Sequence, residues 1–338
     1  MASESSGNVL LNLTAGHRVT AITYTAAKLG IADLLFDGPK TGAELARLTD
    51  THQPSLLRLM RALVALRICT EAPDGRFQLA DLGSWLAAQS ERSLKGWILV
   101  EGELIRAEWG GLIDSIRTGK TGNELAGLGQ EIFERMAESK DAAIFNEGMA
   151  AITRLVMPPV LAACDFSGIS TLMDVGAGVG ELMSAVLRKY PSMRGIVFDL
   201  QHCAERAKKN LVAAGVGERA EFVAGNFFES VPSGAEAIVL KNIIHDWSDE
   251  RCTRILQNCH RALKSGSRLT VIDKVLPEKV EPTPEHLAAV LSDLIMLRGP
   301  GGCERTEKEH RALLTTNGFR VTRIVPAGPN RLIEATAV

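Results

Sequence analysis

Three glycines in the stretch LMDVGAGVGELMSAVLRK lie between an apolar run and a helical pattern, at Gly176, Gly178 and Gly180. Glycine lets a backbone turn sharply and come close to a bound nucleotide, since it has no Cβ. Dinucleotide enzymes space these glycines G-x-G-x-x-G, but Glu181 stands where that pattern has its last glycine. A carboxylate at this helix start would also repel a pyrophosphate, so the loop argues against NAD.

Two aspartates accompany the glycine loop, and each ends an apolar run. Asp174 lies just before the loop, and Asp199 ends the next run, IVFD. An acid at the second position can accept hydrogen bonds from two ribose hydroxyls. S-adenosylmethionine has such a ribose, lacks phosphates, and carries a charged amine that an acidic strand end can receive. Glycine loops are also common as plain tight turns, and it is the two acids that favour this cofactor.

A histidine follows the next apolar run, AIVLKNII, at position 245. This places His245 at the carboxyl end of a strand, where open α/β sheets bind their ligands. Ser248 predicts the start of the next helix, so His245 is expected in a fixed turn between strand and helix. A histidine there could act as a general base toward a hydroxyl group. The remaining histidines are interpreted as structural: His17, His52, His202, His260, His286 and His310.

The acids beside His245 raise the alternative of a metal site. Asp249 and Glu250 are better explained as acids in the first turn of a helix, where they complement the helix dipole. The six cysteines are scattered without a C-x-x-C pair, which argues against a zinc site and against a disulfide framework. We therefore expect no metal.

The sequence after Gly168 alternates apolar strand-like runs with helical patterns, which indicates a parallel α/β sheet. The runs FRVTRIV and RLIEATAV are joined by PAGPN, which is too short for a helical crossover. They predict an antiparallel pair at the sheet's edge. The preceding strands are predicted near 171–175, 195–199, 220–224, 236–241 and 268–274.

The first hundred residues predict a winged helix-turn-helix. A short helix capped by Thr41 and a longer one in QPSLLRLMRALVAL precede a hairpin in RICTEAPDGRFQLAD. DNA binding through Arg58 and Arg61 is one interpretation. However, residues 1–100 contain ten Lys and Arg against nine Asp and Glu, far from the basic face of a DNA reader. Packing against another protein chain is favoured.

Length and charge set the remaining expectations. The 338 residues, of which 46% are hydrophobic, can bury a large core, and a net charge of -2 gives no pull toward nucleic acid or anionic membrane. The start MASESSGNVL lacks a basic segment leading into an apolar one, so a cytoplasmic location is expected. Three parts are predicted: a winged-helix domain (1–100), a helical connector covering the substrate site (101–165) and a catalytic domain (166–338).

Four stretches together resemble a known family: LMDVGAGVG, IVFDLQH, AGNFFESVPSGAEAIVLKNIIHDWSDERCTRIL and GGCERTEKEHRALLTTNGF. They are similar to S-adenosylmethionine-dependent O-methyltransferases of the caffeate, flavonoid and acetylserotonin type, which include bacterial small-molecule tailoring enzymes. The likeness spans almost the whole chain and includes FNEGM at Phe145 to Met149. It implies a Rossmann-like seven-stranded sheet with an antiparallel C-terminal edge pair, a mainly α-helical winged-helix dimerisation domain, and a homodimer.

The resemblance also implies roles for particular residues. His245 falls on the catalytic base, and its two acidic partners fall on Asp273 and Glu304. Substrate contacts are expected at Phe145, Met149, Asn242 and Asp246. Cofactor contacts are expected at Asp174, Gly176, Gly178, Asp199, Leu200, Asn226, Phe227 and Lys241.

Three positions depart from the family pattern. Ala177 replaces a glycine, Asn226 replaces an acid that contacts the adenine amine, and Asp273 replaces a glutamate. The amide oxygen of Asn226 can still accept a hydrogen bond, although without charge assistance.

The sequence thus predicts methyl transfer from S-adenosylmethionine to a hydroxyl, expected to be phenolic, of a small molecule. Two alternatives stay open: a relative diverted to decarboxylation, hydroxylation or ring formation, and a winged-helix DNA-binding regulator. The identity of the acceptor stays open as well.

Overall fold

The computed structural model describes residues 5–128, 139 and 141–338. The chain divides into two compact units. We call Met1–Gly110 with Lys140–Ile152 the N-terminal unit, and Gly111–Ser139 with Thr153–Val338 the C-terminal unit. The predicted connector does not form a separate unit in this division, and part of it, residues 129–138 and 140, lies outside the described residues. The three-part division stays a prediction.

The N-terminal unit is mainly helical. A π-helical turn, Glu101–Ile105, and a 3-10 turn, Trp109–Gly111, lie near its end. Its helices are α1 (Ser6–Thr14), α2 (Gly16–Lys28), α3 (Ile31–Phe36), α4 (Gly42–Leu48), α5 (Gln53–Ala65), α6 (Asp81–Ser84), α7 (Lys95–Val100) and α8 (Arg106–Glu108).

A winged helix-turn-helix lies within this unit, as predicted. Helices α4 and α5 are followed by β2 (Cys69–Glu71) and β3 (Arg76–Leu79), and β3 also pairs with β1 (Lys40–Thr41). The Thr41 side chain accepts the Glu44 N–H, and the Glu44 carboxylate accepts the Thr41 N–H in return. This reciprocal cap satisfies two N–H groups that the helix start would leave unpaired, which confirms the predicted helix start.

The C-terminal unit contains alternating strands and helices. Its helices are α9 (Leu112–Thr118), α10 (Gly122–Leu125), α12 (Glu181–Lys189), α13 (Ala204–Ala213), α14 (Asp249–Ala262), α15 (Pro284–Arg298) and α16 (Glu307–Thr316). A long helix, α11 (Ala142–Ala163), contributes residues to both units. The strands are β4 (Thr171–Val175), β5 (Arg194–Asp199), β6 (Ala220–Ala224), β7 (Ala237–Lys241), β8 (Arg268–Asp273), β9 (Val275–Leu276), β10 (Arg305–Thr306), β11 (Phe319–Ala327) and β12 (Asn330–Ala337).

Within the described part of the chain, seven strands form one sheet in the order β11-β12-β8-β7-β4-β5-β6. The five strands from β8 to β6 run parallel, whereas β12 pairs antiparallel with both β8 and β11. The predicted antiparallel edge pair is therefore confirmed. Because parallel strands end at the same edge, the residues that follow β4, β5, β7 and β8 come together there.

The central strands are buried on both faces. In β4, Met173 and Val175 join one apolar cluster and Leu172 joins another, as expected when successive side chains point to opposite faces. Burial of each such side chain stabilises the fold by ~1.5–3 kcal/mol. This rigid centre fixes the strand ends from which the candidate site is built.

No helix in the described ranges combines the length and the apolar character needed to cross a membrane.

Candidate active site

The glycine loop leaves β4 at Gly176 and leads directly into α12. Gly176, Gly178 and Gly180 have φ angles of +73°, +56° and +79°, a left-handed backbone that favours glycine. A Cβ on Gly176 would lie 2.3 Å from Cδ1 of Ile243, so this turn packs tightly. A Cβ on Gly178 would meet nothing within 4 Å, so the backbone there is open to an approaching ligand.

Asp199, at the end of β5, joins its strand to the glycine loop. Its Oδ2 accepts the Gly178 N–H at 2.6 Å, and its Oδ1 accepts the Leu200 N–H at 2.6 Å. Burial raises the pKa of Asp199, although the two N–H groups act in the opposite direction. Each oxygen has a second lone pair, which a ribose hydroxyl can use. The geometry therefore fits the recognition of two hydroxyls beside the loop.

Asp174 and Lys241 are two further buried charges at this edge. Oδ2 of Asp174 lacks a hydrogen-bond partner among the described residues, and burial raises the pKa of Asp174 to about 7 although Lys241 opposes the shift. Burial lowers the pKa of Lys241 to about 8, and its Nζ donates to Oγ1 of Thr153 at 3.0 Å. An unpartnered buried carboxylate oxygen is suited to a charged donor such as an amine.

Asn226 and Phe227 follow β6 at the same sheet edge. The amide oxygen of Asn226 accepts the Phe228 N–H at 2.9 Å, so one of its two lone pairs is already used. Cε1 of Phe227 lies 3.6 Å from where a Cβ of Gly176 would be. The Phe227 ring packs edge-on against Trp247, with 6.1 Å between ring centroids. Phe227 thus provides an aromatic wall next to the glycine loop.

His245 lies in a 3-10 turn, Ile244–Asp246, between β7 and α14. Asn242, at the exit from β7, has a φ of +55°, a conformation that asparagine tolerates better than most residues. Oγ of Ser248 accepts the Arg251 N–H and caps α14, which confirms the predicted helix start. The turn is therefore fixed at both ends.

The imidazole of His245 has carboxylates at both ring nitrogens. Nδ1 lies 2.9 Å from Oε1 of Glu304, and Nε2 lies 3.6 Å from Oδ1 of Asp246. A carboxylate bonded to Nδ1 favours the proton on that nitrogen, and this leaves Nε2 of the neutral ring as the acceptor. Of the predicted acidic partners, Glu304 contacts the ring directly.

Asp273 takes a different position from Glu304. It ends β8, is fully buried, and neither of its carboxylate oxygens has a hydrogen-bond partner among the described residues. Its charge nevertheless acts on His245. The structure therefore places Asp273 near the imidazole as a charge, without a hydrogen bond to it.

These carboxylates control the proton affinity of the site. Burial alone would lower the pKa of His245, but Asp246, Asp273 and Glu304 outweigh it and raise that pKa to about 9. Burial raises the pKa of Asp246 to about 7 and that of Asp273 to about 6. Burial would also raise the pKa of Glu304, but its hydrogen bonds with His245 and Ser292 outweigh burial and lower it.

The segment that carries Glu304 folds directly against the His245 turn. A Cβ on Gly302 would lie 2.1 Å from the carbonyl oxygen of His245, so only glycine fits there. The buried guanidinium of Arg305 donates to the carbonyl oxygens of Ile244 and Trp247 at 2.9 and 2.8 Å. This close packing brings Glu304 to the imidazole.

Sequence reasoning missed Arg305 and Ser292. Arg305 directly follows Glu304, and an arginine next to a predicted catalytic acid is a signal from which its role could have been predicted. Ser292 has no such neighbour within α15, and its contact with Glu304 depends on the fold.

The four predicted substrate residues fall in different units. Asn242 and Asp246 flank His245 in the C-terminal unit. Phe145 and Met149 lie one turn apart on α11, within the N-terminal unit, and both are partly buried. In the part of the chain that the structure describes, no group of three or more His, Cys, Asp or Glu side chains could hold a metal ion.

Two family models match the chain. One, described as an O-methyltransferase domain, matches residues 109–320. The other, described as an O-methyltransferase dimerisation domain, matches residues 11–89. Together they cover the winged helix and the five parallel strands of the sheet.

Characterised relatives match over nearly the whole chain. A phenazine O-methyltransferase of Lysobacter antibioticus is 37% identical and covers 98% of this chain and 96% of its own. An O-demethylpuromycin-O-methyltransferase of Streptomyces alboniger is 38% identical, and the match covers 97% of this chain and 89% of the relative. An 8-amino-8-demethylriboflavin N,N-dimethyltransferase of Streptomyces davaonensis is 32% identical, and the match covers 92% of this chain and 89% of the relative.

Solved structures show the same fold. Human N-acetylserotonin methyltransferase, in complex with S-adenosylmethionine, has a TM-score of 0.91 and 26% identity, over 100% of this chain and 99% of its own. An O-methyltransferase from neocarzinostatin biosynthesis, bound to S-adenosylmethionine and 2-hydroxy-5-methyl naphthoic acid, has a TM-score of 0.78 and 30% identity, over 95% and 96%.

Proposed function

Because the chain belongs to the O-methyltransferase family, we propose that it methylates a phenolic hydroxyl of a small aromatic molecule, with His245 as the general base. The chain is an S-adenosylmethionine-dependent O-methyltransferase of small-molecule biosynthesis. One observation carries the role of His245: the Glu304 carboxylate lies 2.9 Å from Nδ1 and leaves Nε2 free to accept a proton.

The residues at the cofactor side fit S-adenosylmethionine. Asp199 would receive the ribose hydroxyls, the open backbone at Gly178 would lie along the ligand, and the unpartnered oxygen of Asp174 would receive the amine. Phe227 would pack against the adenine. When bound, this cofactor supplies a methyl group already activated on a cationic sulfur. The protein's task is then to align the acceptor and to remove its proton.

A hydroxyl acceptor explains why a base is needed. A phenol has a pKa of about 10 and is mostly protonated at neutral pH. A neutral amine already has a free lone pair and needs no proton removed before it reacts. The imidazole with its buried carboxylates therefore favours oxygen over nitrogen as the atom methylated.

The carboxylates around His245 would have separate roles. Glu304 would hold the Nδ1 proton and orient the ring, and Asp273 would stabilise the imidazolium that forms. Asp246, 3.6 Å from Nε2, would accept a hydrogen bond from the acceptor molecule and hold its hydroxyl near the base. The pKa of about 9 for His245 reflects ionised carboxylates, and a cationic ligand in the cleft would lower that value.

A methyl-transfer assay tests this proposal. The full-length protein is incubated with S-adenosylmethionine labelled in its methyl group and with phenols paired to the corresponding anilines. We expect label in the phenols, and a loss of ~10²–10⁴-fold in His245→Ala. Label only in anilines, or transfer to phenols that His245→Ala does not slow, would overturn it. Consumption of an acceptor without label would instead indicate a diverted reaction.

We also propose that the N-terminal unit pairs two copies of the chain and does not read DNA. The matched dimerisation domain and the balanced charge of residues 1–100 support this. Sedimentation at several concentrations should give a dimer. A sequence-specific shift of DNA in gels that persists at physiological salt would contradict the second part.

A further inference from the structure

Glu304 receives a second hydrogen bond besides that from His245. Oγ of Ser292 donates to Oε1 of Glu304 at 2.6 Å, the same oxygen that lies 2.9 Å from Nδ1 of His245. The other carboxylate oxygen, Oε2, is buried and has no hydrogen-bond partner among the described residues. Oε1 therefore holds both bonds that fix the rotation of this carboxylate.

The direction of the bond from Ser292 is set by a lysine. Nζ of Lys274 lies 3.1 Å from Oγ of Ser292. An ammonium group only donates, so the serine oxygen must accept from Lys274 and direct its single proton at Glu304. The result is a chain of hydrogen bonds from Lys274 through Ser292 to Oε1 of Glu304, the same oxygen to which His245 is bonded.

The backbone of Glu304 is held by the same helix. Its N–H donates to Oδ1 of Asp293 at 2.9 Å, and Asp293 is the neighbour of Ser292 on α15. Lys274 directly follows Asp273 at the end of β8. Helix α15 thus holds Glu304 at its main chain and at its carboxylate, while Lys274, between β8 and β9, supplies the cation.

We propose that Ser292 and Lys274 are positioning residues that align Glu304 with His245. This inference rests on the proposed role of His245 as the base. Without the hydroxyl of Ser292, the carboxylate of Glu304 keeps, among the described side chains, only its bond to the ring that it is meant to orient. The positive charge of Lys274 also lowers the pKa of Glu304 and so keeps it ionised.

The first test uses the hydroxyl of Ser292. Ser292→Ala is expected to lower kcat ~10-fold, measured with the phenol that the wild-type protein methylates fastest, and Ser292→Thr is expected to restore most of it. Ser184→Ala is the matched control, because Ser184 is a buried helical serine whose hydroxyl has no hydrogen-bond partner among the described residues. Wild-type kcat in Ser292→Ala would overturn the proposal.

A double variant separates alignment from packing. In a Glu304→Ala background, Ser292→Ala should change kcat less than ~2-fold, because the side chain on which Ser292 acts is gone. An equal loss in both backgrounds would mean that Ser292 acts through packing, and the proposal would be wrong.

A measurement without any acceptor distinguishes failure of this inference from failure of the proposed function. The Nδ1–H proton of His245, bonded to a carboxylate, should give a downfield NMR resonance, which is assigned by its loss in His245→Gln. We expect Ser292→Ala to broaden or move it and Ser184→Ala to leave it unchanged. An unchanged resonance in Ser292→Ala overturns the inference, whereas transfer to phenols that His245→Ala does not slow would overturn the proposed function.

The Lys274→Met variant tests whether the positive charge of Lys274 acts on the Glu304–His245 pair. Removing a cation favours protonation, so the pKa of His245, followed by NMR titration of its ring, should rise. The exposed Lys264→Met is the control and should leave that pKa unchanged. A pKa that stays constant or falls in Lys274→Met contradicts the role of the cation. The other charged or titratable groups around His245 and Glu304 are Asp246, Asp273, Asp293, Lys241, Arg305 and His310.

Discussion

Asp199 and Glu304 are both carboxylates in the C-terminal unit, but they are held by different kinds of donor. Two main-chain N–H groups, those of Gly178 and Leu200, hold Asp199, and the Cys203 thiol adds a weaker bond. Side chains from separate elements, His245 and Ser292, hold Glu304. The carboxylate on the cofactor side of the site, Asp199, is therefore held mainly by the backbone, and the carboxylate on the base side, Glu304, by side chains from distant elements.

This difference predicts how the two sides respond to substitution. Main-chain donors remain when a neighbouring side chain is changed, so the cofactor side should tolerate changes around Asp199. The base side holds several interacting charges in little solvent, so each change there should alter the others. Single substitutions on each side can test that contrast.

His245→Ala should give the largest effect, because it removes the proton acceptor. We expect kcat to fall ~10²–10⁴-fold while the dissociation constant for S-adenosylmethionine, measured by calorimetry, changes less than ~3-fold. Equal losses in kcat and in cofactor affinity would mean that the cofactor side and the base side of the site do not act separately.

Asp199→Ala should have the opposite signature. Loss of charge-assisted bonds to the ribose should weaken cofactor binding ~10–100-fold by calorimetry. Asp199→Asn keeps one acceptor oxygen and should lose less. Wild-type affinity in Asp199→Ala would rule out ribose recognition by this residue.

The pH profile should report the charges of the base side. Only neutral His245 can accept a proton, and its pKa in the free protein is about 9. Because binding of the cationic cofactor lowers that pKa, we expect kcat/KM for the acceptor to rise ~10-fold per pH unit at low pH and to level off below the ligand-free value. Asp246→Asn removes a charge that raises this pKa, so the rising limb should move to lower pH. A rising limb at the same pH in Asp246→Asn and in the wild type would show that the carboxylates do not act together.

Ser248→Ala should give the smallest effect. The hydroxyl of Ser248 caps α14 just after the His245 turn, and its loss should lower the free energy of unfolding by ~1 kcal/mol in a denaturant titration. Since Arg305 still holds the turn, kcat should change less than ~2-fold. A large loss of activity at wild-type stability would show that the cap positions His245.

Most of the fold could be predicted from the sequence because its signals are local. The apolar runs indicated the strands from β4 to β8, the short PAGPN linker indicated the antiparallel pair, and Thr41 and Ser248 marked two helix starts. Each of these signals lies within a few residues of the element it specifies.

The cofactor side was predictable for a similar reason, since the glycine loop and Asp199 belong to one strand-helix-strand segment. The base side has no such local signal. Glu304 was assigned by family resemblance, and its contact with His245 joins residues 59 positions apart. Ser292 and Lys274 carry no local pattern that marks them, because their role exists only once α15 packs against the segment that follows β8.

The buried carboxylate of Asp273 has a consequence for the design of more heat-stable variants. The carboxylate of Asp273 is fully buried and has no hydrogen-bond partner among the described residues, which costs the native state free energy that an apolar residue of similar size would not cost. Asp273→Leu should therefore raise the melting temperature in calorimetry while turnover falls. Selection for heat resistance alone would discard this aspartate, so engineering of this scaffold should screen for catalysis at every round.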